Sequence, residues 1–230
     1  VDVEETQSVF RREHIARALE LGATRSIGQV FPHEILILGV DPATSGRAAA
    51  VLLAVDPETR VRTVVDLFVG SALGATGLRR DLFYRFWDKY RDHGINFSVV
   101  EVNFSPTLMG DEAFMQRAEA AGTQVQPHKT FGRGRKKGSK WDEEYGVGAM
   151  AALFTGGLVA FPNKNAGDRE KLQPLMDDML VFPWASEQDA LIALWVANGW
   201  AAVSRFEPVD QVQVARRRGV PPVVARRVRR

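Results

Sequence analysis

The sequence predicts a mixed α/β domain, a sheet with helices packed on its faces, and three observations predict it. Short apolar runs follow one another early in the chain with turn chemistry between them. A helix-spaced apolar stripe comes next, and strand-like and helix-like segments then alternate. At 230 residues the chain can bury a sizeable core.

Residues 1–33 read as a lead-in. VFRREHIARALELG (9–22) has helical character, and a Gly- and Pro-containing connection ends at Pro32. ILILGVD (35–41) is a buried strand and RAAAVLLAVD (47–56) a second. DPET (56–59) is a turn before a third, VRTVVDLFVG (61–70), so these three are expected to run as an antiparallel meander. Leu78, Leu82, Phe83, Phe86 and Tyr90 fall on one face of a helix that Gly94 ends. FSVVEVN (97–103) is a strand, a helix is expected over 107–121, and TQVQPHK (123–129) is a short strand. Helices are expected over 142–154 and 168–180, with the short strand GLVAFP (157–162) between them. A last helix runs from Ser186 to about Ala197.

Composition narrows the chemistry. Cysteine is absent, which excludes disulfides and thiolate metal sites. The longest apolar run, Ala48 to Val55, is too short to span a bilayer, and no membrane partner is expected. Asp2, Glu4 and Glu5 have the wrong sign for a signal-peptide n-region, and the opening Val leads to the expectation of a piece cut from a longer chain. The net charge of +2 is unevenly spread: the last fifteen residues hold seven arginines and no acid, against 23 basic and 28 acidic residues elsewhere. Lys129, Arg133, Arg135, Lys136, Lys137 and Lys140, interleaved with glycines, form a second basic cluster. Such local clusters matter more to a polyanionic partner than the total charge does.

Three carboxylates stand in awkward places: Asp41 closing the first strand, Glu101 among valines in VVEVN, and Asp189 in SEQDALIALW. Ionised carboxylates in buried strands are costly unless something positive meets them. A divalent cation would meet that need, and oxygen donors without Cys favour Mg²⁺ or Mn²⁺ over zinc. Each acid also has a structural explanation. Asp41 suits an Asx turn with Thr44 or Ser45, Glu101 a distant arginine, and Asp189 a capping box with Ser186.

The order of elements and the three acids resemble the ribonuclease H-like superfamily, and more narrowly the nuclease domain of the large terminase subunit of tailed bacteriophages. GVDPATSG (39–46), VVEVNFSP (99–106) and EQDALIALWVA (187–197) carry the resemblance. GSKWDEEYGVGAMAALFTGGLVAFP (138–162) resembles the family's lysine-bearing loop, helix and short strand. The resemblance implies five main strands, the first three antiparallel, with the acids over adjacent strands one and four. It implies cleavage of double-stranded DNA by two Mg²⁺ or Mn²⁺ ions, Asp41 bridging them and Glu101 and Asp189 holding one each. The basic loop, Lys140 foremost, would hold the DNA backbone. Family members often carry a further acid shortly after the first and a double aspartate at the third position. Here Arg47 and Ala48 stand at the first of these places and Gln188-Asp189 at the second, which implies a leaner site that binds its second metal weakly or only with DNA. No GxxxxGK[ST] phosphate loop occurs in the chain.

The implied organisation is a connection from an ATPase domain (1–33), the nuclease domain (34–205) and a basic tail (206–230). The implied partners are that ATPase domain, the small terminase subunit and the portal, in the host cytoplasm. A Holliday-junction-type resolvase, an actin-like sugar kinase or ATPase domain, and a partner-binding remnant with a dead site are the alternatives.

Overall fold

The computed structural model describes residues 8–42, 47–71, 76–101, 105–128, 146–184 and 188–203. Six strands form one mixed sheet in the order β5-β4-β1-β2-β3-β6. β1 (Ile35–Asp41), β2 (Arg47–Val55) and β3 (Arg62–Ser71) are the expected antiparallel meander. β4 (Phe97–Glu101) lies parallel to β1, and β5 (Gln124–His128) parallel to β4. The sheet has one strand more than the five main strands expected. β6 (Val159–Ala160), the centre of the GLVAFP run, pairs in parallel with the start of β3 through two residues.

Strand alternation divides the core between the two faces of the sheet. Ile35 and Ile37 of β1, Ala49, Val51, Leu53 and Val55 of β2, and Val99 of β4 face one side. There they meet α1 (Arg12–Leu21), α6 (Ala166–Val181) and α7 (Asp189–Val203). Leu36, Leu38, Val40 and Val100 face the other side, against α2 (Thr76–Lys89) and the α3 (Ser105–Met109) and α4 (Glu112–Ala120) pair. Phe10, fully buried between Phe154 and Phe182, ties the segment before β1 into the first core.

Two helices differ from expectation for local reasons. The single helix expected over 107–121 is two, because Asp111 after Gly110 caps a new start by accepting the Phe114 amide at 3.1 Å. Helix before β6 is shorter than expected in the described residues: a 3₁₀ turn (Val147–Met150) leads into α5 (Ala151–Thr155). None of the described helices is long and apolar enough to cross a membrane.

The helix that matters most for the site is α7. Ala190, Leu191, Ala193, Val196 and Ala197 are wholly buried, so it is apolar nearly all round and sits inside the molecule. Gly39 lets it come that close. A Cβ there would stand 2.2 Å from the Ala193 carbonyl oxygen and 2.6 Å from the Ala197 amide nitrogen. The backbones of β1 and α7 touch where no side chain fits.

Candidate active site

Strand register brings two of the three candidate acids side by side. Val40 pairs with Val100 on the parallel neighbour, so Asp41 and Glu101, each the last residue of its strand, come next to one another. Neighbouring strands lie about 4.8 Å apart, which sets the spacing of their backbones. Period-two alternation sends both side chains to the α7 face, following Ile37 and Val99. Asp41 is buried, 7% exposed, and Glu101 is half-buried.

α7 delivers the third acid. Asp189 is its first residue, one turn before the Ala193 carbonyl that abuts Gly39. The helix therefore starts three residues later than Ser186, which lies outside the described residues, and Asp189 is not at the third position of a capping box. The amides of the first turn have another acceptor. Asp178, eleven residues upstream on α6, takes the Ala190 amide at 2.9 Å and the Leu191 amide at 3.4 Å through Oδ2.

The other Asp178 oxygen accepts from Arg47. The guanidinium donates through Nη2 to Asp178 Oδ1 at 2.9 Å and through Nε to Asp189 Oδ2 at 3.4 Å. Arg47 opens β2 two positions beyond Ala49, the partner of Asp41, and shares its face. Burial alone would make Arg47 easier to deprotonate, but the hydrogen bonds and charges of Asp178 and Asp189 outweigh it and hold its pKa up. Burial pushes the Asp178 carboxyl up, while Arg47 and the two α7 amides oppose it. All three contacts use Asp178 as an acceptor, the pattern of an ionised carboxylate.

On the far side of Glu101, in register with it, β5 ends at His128. Its ring meets Trp195 of α7 edge-on at 4.5 Å, and its buried Nε2 has no hydrogen-bond partner among the described residues. Burial lowers its pKa to about 4, so the imidazole is neutral near pH 7. One edge of one face thus carries Arg47, Asp41, Glu101 and His128 in spatial order across β2, β1, β4 and β5, with Asp189 above Arg47.

No family model and no curated protein matches the chain. Solved structures do. The large terminase nuclease from thermophilic phage G20c, with bound zinc, is similar over 86% of this chain and 99% of its own, at 20% identity and a TM-score of 0.51. The same nuclease with bound cobalt gives 18% identity over 83% of this chain and 95% of its own, also at TM-score 0.51. The human cytomegalovirus terminase nuclease domain, soaked in Mn with an inhibitor bound, reaches TM-score 0.53 at 10% identity, covering 84% of this chain and 95% of its own.

The chain has the terminase nuclease fold, ribonuclease H-like in architecture.

Within this terminase nuclease fold, the three acids are the right kind of donor for Mg²⁺ or Mn²⁺, hard oxygens without sulfur. Among the described residues, however, no three His, Asp or Glu side chains are gathered to hold one ion. Asp189 is engaged by Arg47 through Oδ2 instead. The six basic candidates, Lys129, Arg133, Arg135, Lys136, Lys137 and Lys140, lie outside the described residues, as do Thr44 and Ser45, the partners in the Asx-turn explanation of Asp41. Asp178 and His128 were missed as site residues. The only sequence signal for either was an ionisable group at the end of a helix or strand that reads as buried.

Proposed function

We propose that the chain is the nuclease of a phage DNA-packaging terminase, cutting double-stranded DNA with two divalent ions, Mg²⁺ or Mn²⁺. One observation carries the reading: Asp41 and Glu101 close adjacent parallel strands on the face across which α7 lies, with Asp189 at its start. Acids 148 residues apart in sequence come to one edge of the sheet, where a divalent cation would offset their mutual repulsion.

Asp41 is the central donor, because β1 lies between β4, which carries Glu101, and β2, whose Arg47 holds Asp189. Glu101 and Asp189 flank it. When bound, the ions lower the pKa of an attacking water and stabilise the departing 3′ oxygen. Asp178 positions Asp189 by capping the helix that bears it. Neutral His128 and Trp195 wall the Glu101 side. The basic residues of 129–140 would hold phosphates that the acids repel, without reading sequence. Residues 1–33 would lead from an ATPase motor, and the small subunit and portal would be packaging partners in the host cytoplasm.

Purified protein with Mn²⁺ or Mg²⁺ should nick and linearise supercoiled plasmid, and EDTA should stop it. Asp41→Asn, folded as judged by circular dichroism, should leave no detectable cutting. Undiminished digestion by that variant would remove Asp41, and the reading with it.

A further inference from the structure

One edge of the sheet carries a groove that the nuclease reading does not use. β5 is the edge strand, and between it and α4 lies a trough of about 510 Å³. Buried Ala118 and Val125 and half-buried Met115 form its apolar floor. Glu112 and Glu119 stand exposed on its rim, two helical turns and so about 10 Å apart on one face of α4. Among the described residues neither carboxylate meets a cation, and Glu112 accepts only from Gln116, at 3.1 Å. Arg117, the basic residue of α4, is turned to Asp88 and the Tyr84 ring on α2 instead.

We propose that this groove receives the chain's own arginine-rich tail, the run Val220-Pro221-Pro222-Val223-Val224 on the apolar floor and the arginines on either side of it meeting Glu112 and Glu119. The sequence of the tail matches the groove. Arg216, Arg217 and Arg218 precede the apolar run, Arg226 and Arg227 follow it, and the last fifteen residues hold no acid. The place where the chain leaves α7 matches as well. Trp200, in the last turn, packs on Phe97 with ring centroids 5.6 Å apart, and Phe97 pairs with Gln124, which lines the groove. α7 therefore ends beside the edge strand, and the tail need only round β5 to pass from the α7 face to the α4 face. Residues 204–218 can span up to about 50 Å, more than that path requires. Proline, with φ already fixed, loses little freedom on docking, and Met115 is an adaptable apolar partner. Exposed ion pairs contribute little one by one, but a tethered segment acts at roughly millimolar effective concentration, so weak contacts suffice. This docking is independent of the nuclease reading.

The test uses the absence of cysteine, which makes two introduced thiols the only ones in the full chain. Gln116→Cys in the groove and Val223→Cys in the tail are combined and equilibrated in a glutathione redox buffer. An intramolecular disulfide should form about tenfold or more readily than in a control chain that pairs Val223→Cys with Lys171→Cys, exposed on α6. Adding Glu112→Gln with Glu119→Gln should lower the yield to that of the control, and so should about 1 M salt, which cuts the Debye length to about 3 Å. Both glutamates are exposed, thermal melts check that the variants fold, and the salt arm needs no further substitution. Equal trapping by Gln116→Cys and Lys171→Cys would mean random encounter and no docking. Disulfide-linked dimers in place of the intramolecular product would put a second copy's tail in the groove. Trapping indifferent to both salt and the Glu→Gln pair would remove charge as the basis of recognition. Each of these three results overturns the proposal, and none bears on Asp41, Glu101 or Asp189, so the nuclease reading stands or falls separately.

Discussion

Gly39→Ala tests the contact on which the site geometry depends. The added methyl would sit 2.2 Å from the Ala193 carbonyl oxygen, 2.6 Å from the Ala197 nitrogen and 2.8 Å from the Ala197 Cβ. Ordinary contact begins near 3.4 Å, so strand and helix must separate by about 1 Å. Overpacking a core usually costs about 1–3 kcal/mol. Here the obstacles are two backbone atoms of a wholly buried helix, which no rotamer change can clear, so the upper end, about 3 kcal/mol, is expected. The same shift carries Asp189, one turn away, and an ångström of misplacement can lower a rate by about 10²-fold. Urea unfolding in EDTA, which removes any contribution from bound metal, gives the stability change, and plasmid cutting gives the rate. Adding Ala197→Gly removes only the 2.8 Å clash and should not rescue either quantity. A Gly39→Ala protein with wild-type stability would refute the close approach and the positioning argument built on it.

Asp178→Asn should destabilise by about 1–3 kcal/mol in the same unfolding assay, because it removes the charged acceptor of Arg47 and leaves only the longer Asp189 contact; a loss under about 0.5 kcal/mol would mean that the pair is idle. His128 makes stability pH-dependent. Its imidazole has a folded pKa of about 4 against an ordinary 6.5, so between those values the unfolded chain binds more protons. The contribution is full above about 6.5 and lost as pH falls toward 4, about 2 kcal/mol of it between pH 7 and 5. Urea unfolding of His128→Gln in EDTA should lack that decline, and an equal decline would assign it to other groups. Lys136→Ala with Lys137→Ala should weaken DNA binding and reduce the slope of log K against log salt by about 2, and an unaltered slope would take this loop out of the interface.

The meander and the strands that carry Asp41 and Glu101 were legible because the signal is local. ILILGVD closes on a carboxylate and FSVVEVN carries one among valines, and parallel pairing places Asp41 and Glu101 on one edge. The start of α7 misled because Ser186-x-x-Asp189 has the letters of a capping box, whereas the acceptor for the first-turn amides comes from another helix. Nothing near Asp178 in sequence marks it as a cap; only the packing of α6 beside α7 does. Arg47 was visible as a departure from an acidic pattern, but its pairing with Asp178 and Asp189, 131 and 142 residues away, exists only in three dimensions. His128 was hidden by its place in a short strand leading into a basic loop, where a histidine looks like one more cation. Burial makes it the opposite, a neutral ring. The short strand GLVAFP was legible too, but its two-residue pairing with the start of β3 was not.

These misses share a cause, and it bears on how the site works. Asp41 and Glu101 are fixed by the sheet, because a one-residue slip would exchange the two buried faces of β1 and carry Asp41 to the side away from α7. Asp189 belongs to a helix held by a backbone contact at Gly39 and by one acid, Asp178, that also anchors Arg47. Two of the acids are therefore set by strand register and the third by helix packing, where a cation of the chain itself, Arg47, meets it.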